Sequence, residues 1–410
     1  MAPELQPLSI QTGVVFTPGA PISERELFIG RTEQVEKVTD AVYQRGYHAI
    51  VYGERGVGKT SLANVICTFL ANRQAFVISR TNCDISDTYS SLWAKAFKDI
   101  EVAKRQPNIG FGTFGIPKTA PPLDYPANAY TPDSVRRTLE DMSRSGPLVI
   151  IFDEFDRIVG SDTMTAMADT IKTLSDHAVN VTVLIIGVAD SVDELIREHQ
   201  SIERALIQVL VPSMSESDIR SIVLGGFRRL TMGIDSTACE DLVRFSQGAA
   251  YITHLLCFYT ARAALATGRK TVYPAHVEQG MNRALDQWQQ SIKSLYERSA
   301  KSAQPSIYRQ VLLACALAEV DERRYFTASS VKEPLRLIKN KTYEPVNYAR
   351  HLKELSEPAR GRVLHRAGDK YWLRYRICNP IMRPYIIMRG VREKLITKDA
   401  IPVSWSKSNA

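Results

Sequence analysis

Short apolar runs and segments of helical periodicity alternate through the first half of the chain. The apolar runs predict strands at 48–53, 74–83, 147–158, 180–187 and 206–211. Apolar residues spaced three and four apart predict helices at 32–45, 61–71, 90–102, 132–143, 162–176 and near 191–198. Strands that alternate with helices favour right-handed crossovers and a parallel sheet covered on both faces. We therefore expect an α/β fold here.

The pattern changes in the second half. Strand signals disappear from Ser215 to about Ala300, and four helices are predicted at 215–230, 237–247, 251–265 and 274–299. Beyond residue 305 the pattern predicts three helices at 306–319, 328–340 and 345–356, then two basic strands at 361–366 and 370–377. Three helices followed by a β-hairpin are typical of a winged helix, a variant of the helix-turn-helix.

These patterns divide the chain into consecutive parts. We expect an extended N-terminal segment at 1–24, an α/β core at 25–212, a helical segment at 213–300, a basic winged-helix domain at 301–395 and a tail at 396–410. Residues 106–130 are rich in Gly and Pro and indicate an insertion in the core. A spacer is the favoured interpretation, although Phe111 and Phe114, each between glycines or beside one, keep a functional loop open.

Composition narrows the class of protein. Of 410 residues, 44% are hydrophobic and 23% are charged, which is typical of a globular chain and argues against extensive disorder. The sequence has no apolar run of about 18 residues, and its first residues lack the pattern of a secretory leader. The six cysteines form no CxxC pair, so we expect reduced thiols and a cytoplasmic protein.

Charge is unevenly distributed. The net charge is +8, yet residues from Lys301 onward hold 22 Lys+Arg against 10 Asp+Glu, which leaves 30 and 34 for the rest. The whole positive excess thus lies in the last quarter. Such asymmetry indicates contact with a nucleic acid or another polyanion, and a solvated basic surface is the alternative.

The most specific motif begins at Gly53 and reads GERGVGKT, between a predicted strand and a predicted helix. It matches the phosphate-binding pattern GxxxxGK[ST]. Glycines let backbone N–H groups surround phosphates, and the helix dipole favours the same charge. We expect Lys59 to reach the β- and γ-phosphates and the Thr60 hydroxyl to bind Mg²⁺. The predicted nucleotide contacts are Gly53, Glu54, Arg55, Gly56, Val57, Gly58, Lys59, Thr60 and Ser61.

A second motif lies at the end of the apolar run LVIIF, where Asp153 and Glu154 follow. A buried strand of a parallel sheet places the acid after it at the carboxyl edge, beside the phosphate loop. We expect Asp153 to hold Mg²⁺ through water and Glu154 to polarise the attacking water, as phosphoryl transfer requires. Asp156 and Arg157 are predicted to be surface or interface residues.

Three segments together resemble a known family: FIGRTEQVEKV at 28–38, VYGERGVGKTSLANVI at 51–66 and LVIIFDEFDRI at 148–158. They resemble the AAA+ and STAND branch of P-loop ATPases, nearest to origin-recognition/Cdc6-like ATPases and archaeal-type STAND ATPases. The resemblance covers about residues 25–300 and extends to the terminal winged helix. It implies a P-loop NTPase sheet flanked by helices, an all-α lid at 213–300 and the winged helix.

The resemblance also implies further site residues. Phe28, Ile29 and Gly30 would line the adenine pocket, with plain packing as the alternative. Asp190 stands where a polar sensor is usual, and either orients water or caps the next helix. Arg204 resembles the arginine that reaches a neighbour's γ-phosphate, with a surface ion pair as the alternative. Tyr251 lies in the lid motif, near the position where Cdc6-like proteins usually have a second sensor arginine. A tyrosine here favours a resemblance to the STAND relatives. His254, with apolar neighbours, is predicted to be a core residue.

The winged-helix prediction places a polar face on the helix at 345–356. Asn347, Arg350 and Lys353 are three residues apart and would face the major groove of double-stranded DNA. The hairpin would contact phosphates, and the predicted nucleic-acid residues beyond that helix are Arg360, Arg362 and Arg366. Winged helices also serve as protein-interaction modules, so both interpretations stay open.

Taken together, these features predict an ATPase with ATP and Mg²⁺ as cofactors. Its nucleotide state would control self-assembly into a homo-oligomer and engagement of DNA, with ATP bound between the core and the lid. The competing hypothesis is a signalling ATPase that regulates an effector protein, for example in bacterial defence or a mobile element. A metabolic kinase is disfavoured, because the sequence indicates no domain for an acceptor substrate.

Overall fold

The computed structural model describes residues 6–18, 30–71, 76–105, 130–189, 191–196, 199–301, 307–321, 323–369 and 372–402. In this part of the chain, residues 30–54 and 58–212 form one compact unit, and residues 6–18, 55–57 and 213–402 form another. Residues 106–129 of the predicted insertion lie outside the described residues.

The N-terminal segment corrects one prediction. Residues expected to be extended form helix α1 (Gln6–Val15), and Phe16 directly after it is buried. The ring of Phe16 packs edge-on against Phe227 at 5.3 Å between centroids, and a Cβ at Gly226 would approach that ring to 2.2 Å. Packing with residues more than 200 positions away therefore holds this segment, which its own weak periodicity does not reveal.

The α/β unit is built on five parallel strands. They are β1 (His48–Gly53), β2 (Val77–Asn82), β3 (Leu148–Asp153), β4 (Val181–Val188) and β5 (Leu206–Leu210). Their order in the sheet is β2-β3-β4-β1-β5. The helices of this unit are α2 (Thr32–Tyr43), α3 (Lys59–Ala71), α4 (Tyr89–Arg105), α5 (Pro132–Ser143) and α6 (Ser161–Asp176).

Burial explains why the strands read as continuous apolar runs. Every residue of β3 is buried, and Phe152 in this strand packs edge-on against the fully buried Trp93 of α4 at 5.2 Å. A parallel strand covered on both faces has no solvent side, so its sequence shows no alternation. The parallel register also brings the ends of β2 and β3 together, with Asn82 opposite Asp153.

Residues 213–301, all of which the structure describes, contain five helices rather than the predicted four. They are α7 (Glu216–Arg229), α8 (Ser236–Ser246), α9 (Ala250–Ala266), α10 (Pro274–Gln287) and α11 (Gln290–Ala300). The long predicted helix at 274–299 is interrupted at Trp288, whose backbone is extended and whose ring packs against Tyr385 at 5.3 Å. Strands β6 (Gly233–Ile234) and β7 (Thr271–Val272) form a short parallel pair here.

The C-terminal region continues with α12 (Tyr308–Leu317), β8 (Phe326–Thr327), α13 (Lys332–Lys339), α14 (Pro345–Leu355), β9 (Leu364–Ala367), β10 (Arg374–Ile377) and α15 (Met382–Arg392). The three strands form an antiparallel sheet in the order β8-β10-β9. Strand β8, with only two residues, is too short to give a periodic signal. Within the described ranges, no helix combines the length and apolar character needed to cross a membrane.

Candidate functional site

The glycine loop joins β1 to α3. Gly53, Gly56 and Gly58 adopt φ angles of 148°, 84° and 100°, which L-residues with side chains rarely adopt. A Cβ at Gly53 would lie 2.4 Å from the carbonyl oxygen of Val211, so the loop and the chain after β5 approach too closely for any side chain. The glycines therefore fix the path of the loop.

Lys59 begins α3 and is buried. Its Nζ donates to the carbonyl oxygens of Gly53, at 3.0 Å, and Glu54, at 2.7 Å, so the ammonium lies against the inside of the loop. A Cβ at Gly58 would meet no described atom within 4 Å, which leaves open space beside the backbone there. An ammonium, backbone N–H groups and a helix N-terminus next to open space suit a polyphosphate.

Asp153 ends β3 with only 2% of its surface exposed. Its Oδ1 accepts a hydrogen bond from the Glu154 N–H at 2.9 Å, and its Oδ2 accepts one from Nη2 of Arg80 at 2.6 Å. Arg80 lies on β2 and also donates, through Nη1, to the side-chain oxygen of Asn64. Asn64 lies in α3, one turn after Thr60, so Arg80 connects the acid to the helix that follows the glycine loop.

These residues fit a magnesium ion. The Thr60 hydroxyl and the Asp153 carboxylate are hard oxygen ligands of the kind that Mg²⁺ prefers. The carboxylate is buried and pairs with the Arg80 guanidinium, as a buried negative charge needs a positive partner. Sequence reasoning missed Arg80, although an arginine inside a strand next to an acid-ended strand is a usable signal.

The residues after Asp153 leave the strand sharply. Glu154 adopts a left-handed backbone with φ 57°, and its half-exposed carboxylate pairs with Arg157 at 3.0 Å. The exposed Asp156 accepts a hydrogen bond at Oδ1 from the Val188 N–H at 2.7 Å. Asp156 therefore ties the turn after β3 to the end of β4, a positioning contact that the sequence did not indicate.

The remaining candidates of this unit are Arg204, Gly30, Phe28, Ile29 and Asp190. Arg204 is 84% exposed and pairs with Asp176 at 3.1 Å. Gly30 is exposed, with φ 74°. Phe28, Ile29 and Asp190 lie outside the described residues.

Two candidates lie on α9, in the other unit. Tyr251 is half-buried, and burial raises its pKa. His254 is buried, its ring packs edge-on against Phe16 at 6.0 Å, and burial lowers its pKa to about 4. Both ring nitrogens of His254 lack a hydrogen-bond partner among the described residues. A neutral histidine in an apolar setting matches its prediction as a core residue.

The predicted nucleic-acid residues fall into two groups. Asn347, Arg350, Lys353, Arg362 and Arg366 are all exposed. Asn347 accepts the Glu344 N–H at 2.8 Å, which caps α14, and Arg350 pairs with Glu354 at 2.6 Å.

Arg360 differs from the rest of that set. It is half-buried, and its guanidinium lies 3.4 Å from the centre of the Tyr308 ring. It also donates to the carbonyl oxygens of Ser299, at 3.1 Å, and Lys301, at 2.9 Å, at the end of α11. Arg360 is thus held by internal contacts, and its role in binding nucleic acid stays a prediction.

One family model matches part of this chain in sequence, and solved structures resemble its fold. Residues 27–186 match the family described as AAA ATPase domain. No curated protein matches the chain in sequence. A Walker-type ATPase of Pyrococcus abyssi is similar in structure at 18% identity, over 91% of this chain and 99% of that chain, with a TM-score of 0.51.

Two further structures show weaker likeness. Cdc6p from Pyrobaculum aerophilum has 15% identity over 94% of this chain and 99% of that chain, with a TM-score of 0.47. The ORC2 protein of Aeropyrum pernix, in ADPNP–ADP complexes, has 13% identity over 93% and 97%, with a TM-score of 0.48. The glycine loop and the acid at the end of β3 both lie within residues 27–186, the part of the chain that matches the AAA ATPase domain family.

Proposed function

We propose that the protein is a Mg²⁺-dependent ATPase that binds ATP on the loop at 53–61 and hydrolyses it to ADP and phosphate. One observation carries the proposal. The Lys59 ammonium lies inside the glycine loop, and Arg80 connects the buried Asp153 to α3, one turn beyond Thr60. Charged groups of opposite sign are thereby gathered at the carboxyl edge of a parallel sheet, where such folds bind their ligands.

Each residue has a distinct proposed task. Backbone N–H groups of the loop and the Lys59 ammonium bind the phosphates and offset the charge that develops during transfer. Thr60 and Asp153 would hold Mg²⁺, which would neutralise charge on the phosphate oxygens. Glu154 orients the attacking water, for which its carboxylate must leave Arg157. That ion pair is half-exposed on both sides, so its loss costs little.

We further propose that ATP binding drives self-assembly, with Arg204 contributing to the site of a neighbouring copy. The support is its exposure, together with its surface ion pair with Asp176. Exposed ion pairs of this kind are weak, which leaves the guanidinium available to a phosphate. Gly30, Tyr251, Phe28 and Ile29 remain proposed nucleotide contacts, and Asp190 remains a proposed sensor that orients water.

The C-terminal region is proposed to be a winged helix that contacts double-stranded DNA. The order helix, short strand, two helices and hairpin supports this assignment, as do the exposed Asn347, Arg350, Lys353, Arg362 and Arg366. Phosphate contacts of exposed cations release counterions, and this supplies affinity without sequence selectivity.

One observation favours the alternative of a signalling ATPase with a protein effector. In the same region the apolar side chains of Leu337, Val346 and Trp372 are 52%, 80% and 79% exposed. Exposed large apolar groups are more typical of protein contacts than of phosphate contacts. A salt-insensitive complex with a protein would support this second function.

ATP binding and turnover test the first proposal directly. We expect Lys59→Ala to abolish binding of radiolabelled ATP, and Glu154→Gln to bind ATP while releasing phosphate about 100-fold more slowly than the native protein. Lys37→Ala removes an exposed lysine of the same unit and should change neither quantity. Equal turnover in the native protein, Lys59→Ala and Glu154→Gln would refute the site.

Mass photometry tests assembly and DNA engagement together. The protein would be measured alone, with ATP, and with ATP and duplex DNA. We expect larger species with ATP in the native protein but not in Lys59→Ala, and DNA-bound species that disappear as salt rises. A mass distribution that changes with neither ATP nor DNA would contradict both ATP-driven self-assembly and DNA binding.

A further inference from the structure

We propose that Arg80 is a positioning residue that competes with Mg²⁺ for Asp153 and thereby sets the Mg²⁺ concentration at which nucleotide binding becomes metal-dependent. The inference rests on the proposed ATPase function and adds to it a residue outside both sequence motifs. Arg80 lies on β2, on neither the glycine loop nor the acid-ended strand.

The two oxygens of Asp153 are in different situations. Oδ1 is held by the backbone N–H of Glu154 at 2.9 Å, whereas Oδ2 is held by Arg80 Nη2 at 2.6 Å. With the carboxylate only 2% exposed, solvent offers it little stabilisation. The oxygen that the backbone leaves free is therefore the one that the guanidinium neutralises.

Arg80 is itself held at a second point. Its Nη1 donates to the Asn64 side chain, while its Nε is buried without a hydrogen-bond partner among the described residues. A buried N–H without an acceptor carries an uncompensated desolvation cost. This incomplete pairing suits a guanidinium that occupies the position in one state and yields it in another.

Competition follows from charge. A guanidinium and a divalent cation at the same carboxylate repel each other, whether the ion binds it directly or through water, so Mg²⁺ binding is favoured when Arg80 releases Oδ2. The apparent affinity for Mg²⁺ is then reduced by the fraction of molecules in which Arg80 holds the carboxylate. In exchange, the nucleotide-free protein never leaves Asp153 buried without a partner cation.

The test measures binding of methylanthraniloyl-ADP by fluorescence, first in EDTA and then as a function of Mg²⁺ concentration. We expect Arg80→Ala to lower the half-saturating Mg²⁺ concentration about tenfold, because the competing cation is gone. In EDTA, Arg80→Ala should bind the nucleotide no more tightly than the native protein. Arg80→Lys restores a cation and should return the Mg²⁺ dependence most of the way to the native value.

Two further variants guard the interpretation. Asn64→Ala removes the hydrogen bond that holds the Nη1 group of Arg80 but keeps the ion pair with Asp153. This variant should lower the half-saturating Mg²⁺ concentration about threefold. It tests the proposal even if Arg80→Ala fails to fold. Arg144→Ala removes an arginine that is 78% exposed and pairs with Asp141, three positions earlier, and should match the native protein.

The outcomes separate the two proposals. The proposed role of Arg80 is wrong if Asn64→Ala, and Arg80→Ala where it folds, have the same half-saturating Mg²⁺ concentration as the native protein. The ATPase proposal would stand in that case. The role of Arg80 is also wrong if Arg80→Ala weakens nucleotide binding equally with and without Mg²⁺, because Arg80 would then contact the phosphates. A native protein that binds no nucleotide in either condition overturns both proposals.

Discussion

The two charged regions of this protein hold their charges in opposite ways. At the carboxyl edge of the parallel sheet, Lys59 and Asp153 are buried and each has at least two polar partners. In the C-terminal region, Arg350 is 85% exposed and pairs with a neighbouring acid on α14, Glu354. A buried charge needs fixed partners because its lost hydration must be replaced, whereas an exposed charge keeps its hydration and acts at a distance.

This difference has a consequence for function. Chemistry at a phosphate needs groups held within a fraction of an ångström, and the loop at 53–59 supplies that through backbone conformation and burial. Attraction of a polyanion needs only the sum of many exposed charges. Single substitutions should therefore have large effects in the first region and small ones in the second.

The largest effect is expected for Gly53→Ala. The new Cβ would lie 2.4 Å from the Val211 carbonyl oxygen, and alanine does not favour φ 148°. The clash forces β1 and the chain after β5 apart, so we expect the free energy of unfolding to fall by about 3 kcal/mol. Urea denaturation of the purified protein measures this loss, and nucleotide affinity should fall with it.

Gly46→Ala is the matched control for this substitution. Gly46 belongs to the same unit and also has a positive φ, 79°, but a Cβ there would lie 3.4 Å from the Ser175 oxygen, an ordinary contact. Backbone strain alone should cost about 1 kcal/mol. Equal losses in the two variants would show that close packing of the loop is not what makes Gly53 essential.

An intermediate effect is expected for Arg360→Ala, the exception within the exposed region. The substitution removes the stacking on Tyr308 and the hydrogen bonds to the end of α11. We expect the free energy of unfolding to fall by about 2 kcal/mol. Arg362→Ala removes an exposed arginine two positions away and should change stability by less than about 0.5 kcal/mol. Equal melting temperatures for these two variants would contradict the conclusion that Arg360 stabilises the fold while Arg362 does not.

Arg360 also shows where sequence reasoning ends. The glycine loop, the bounds of β1 and the acid at the end of β3 were predictable, because each depends on residues adjacent in the chain. Arg360 and Arg362 look alike in sequence, and only their three-dimensional neighbours separate a structural cation from an exposed one. Arg80 was missed for the same reason, since its partner Asp153 lies 73 positions away.

Helices and strands were likewise predictable where they depend on adjacent residues, and were missed where they depend on distant ones. Strand β1 was predicted at its true bounds because a buried parallel strand is written in six consecutive residues. Helix α1 was missed because its formation depends on Phe16 packing against Gly226 and Phe227. The interruption at Trp288 was missed because the helical periodicity of 274–299 continues through a residue whose extended backbone is stabilised by Tyr385.

The smallest effects are expected for DNA affinity. Arg350→Ala, Lys353→Ala and Arg362→Ala each remove one exposed cation from the C-terminal region. Each should weaken binding to duplex DNA about threefold and reduce the slope of log affinity against log salt by about 1, whatever the DNA sequence. Fluorescence anisotropy with two unrelated duplexes at several salt concentrations measures both quantities.

Lys37→Ala serves as the control for charge alone, because it removes an exposed cation from the other unit and should leave DNA affinity unchanged. If one of the three C-terminal variants instead lost binding completely while remaining folded, that side chain would have to make a fixed contact. The expectation that each exposed cation contributes a small and additive share of DNA affinity would then be wrong for that residue. A loss shared equally with Lys37→Ala would show that net charge, and not this region, attracts the DNA.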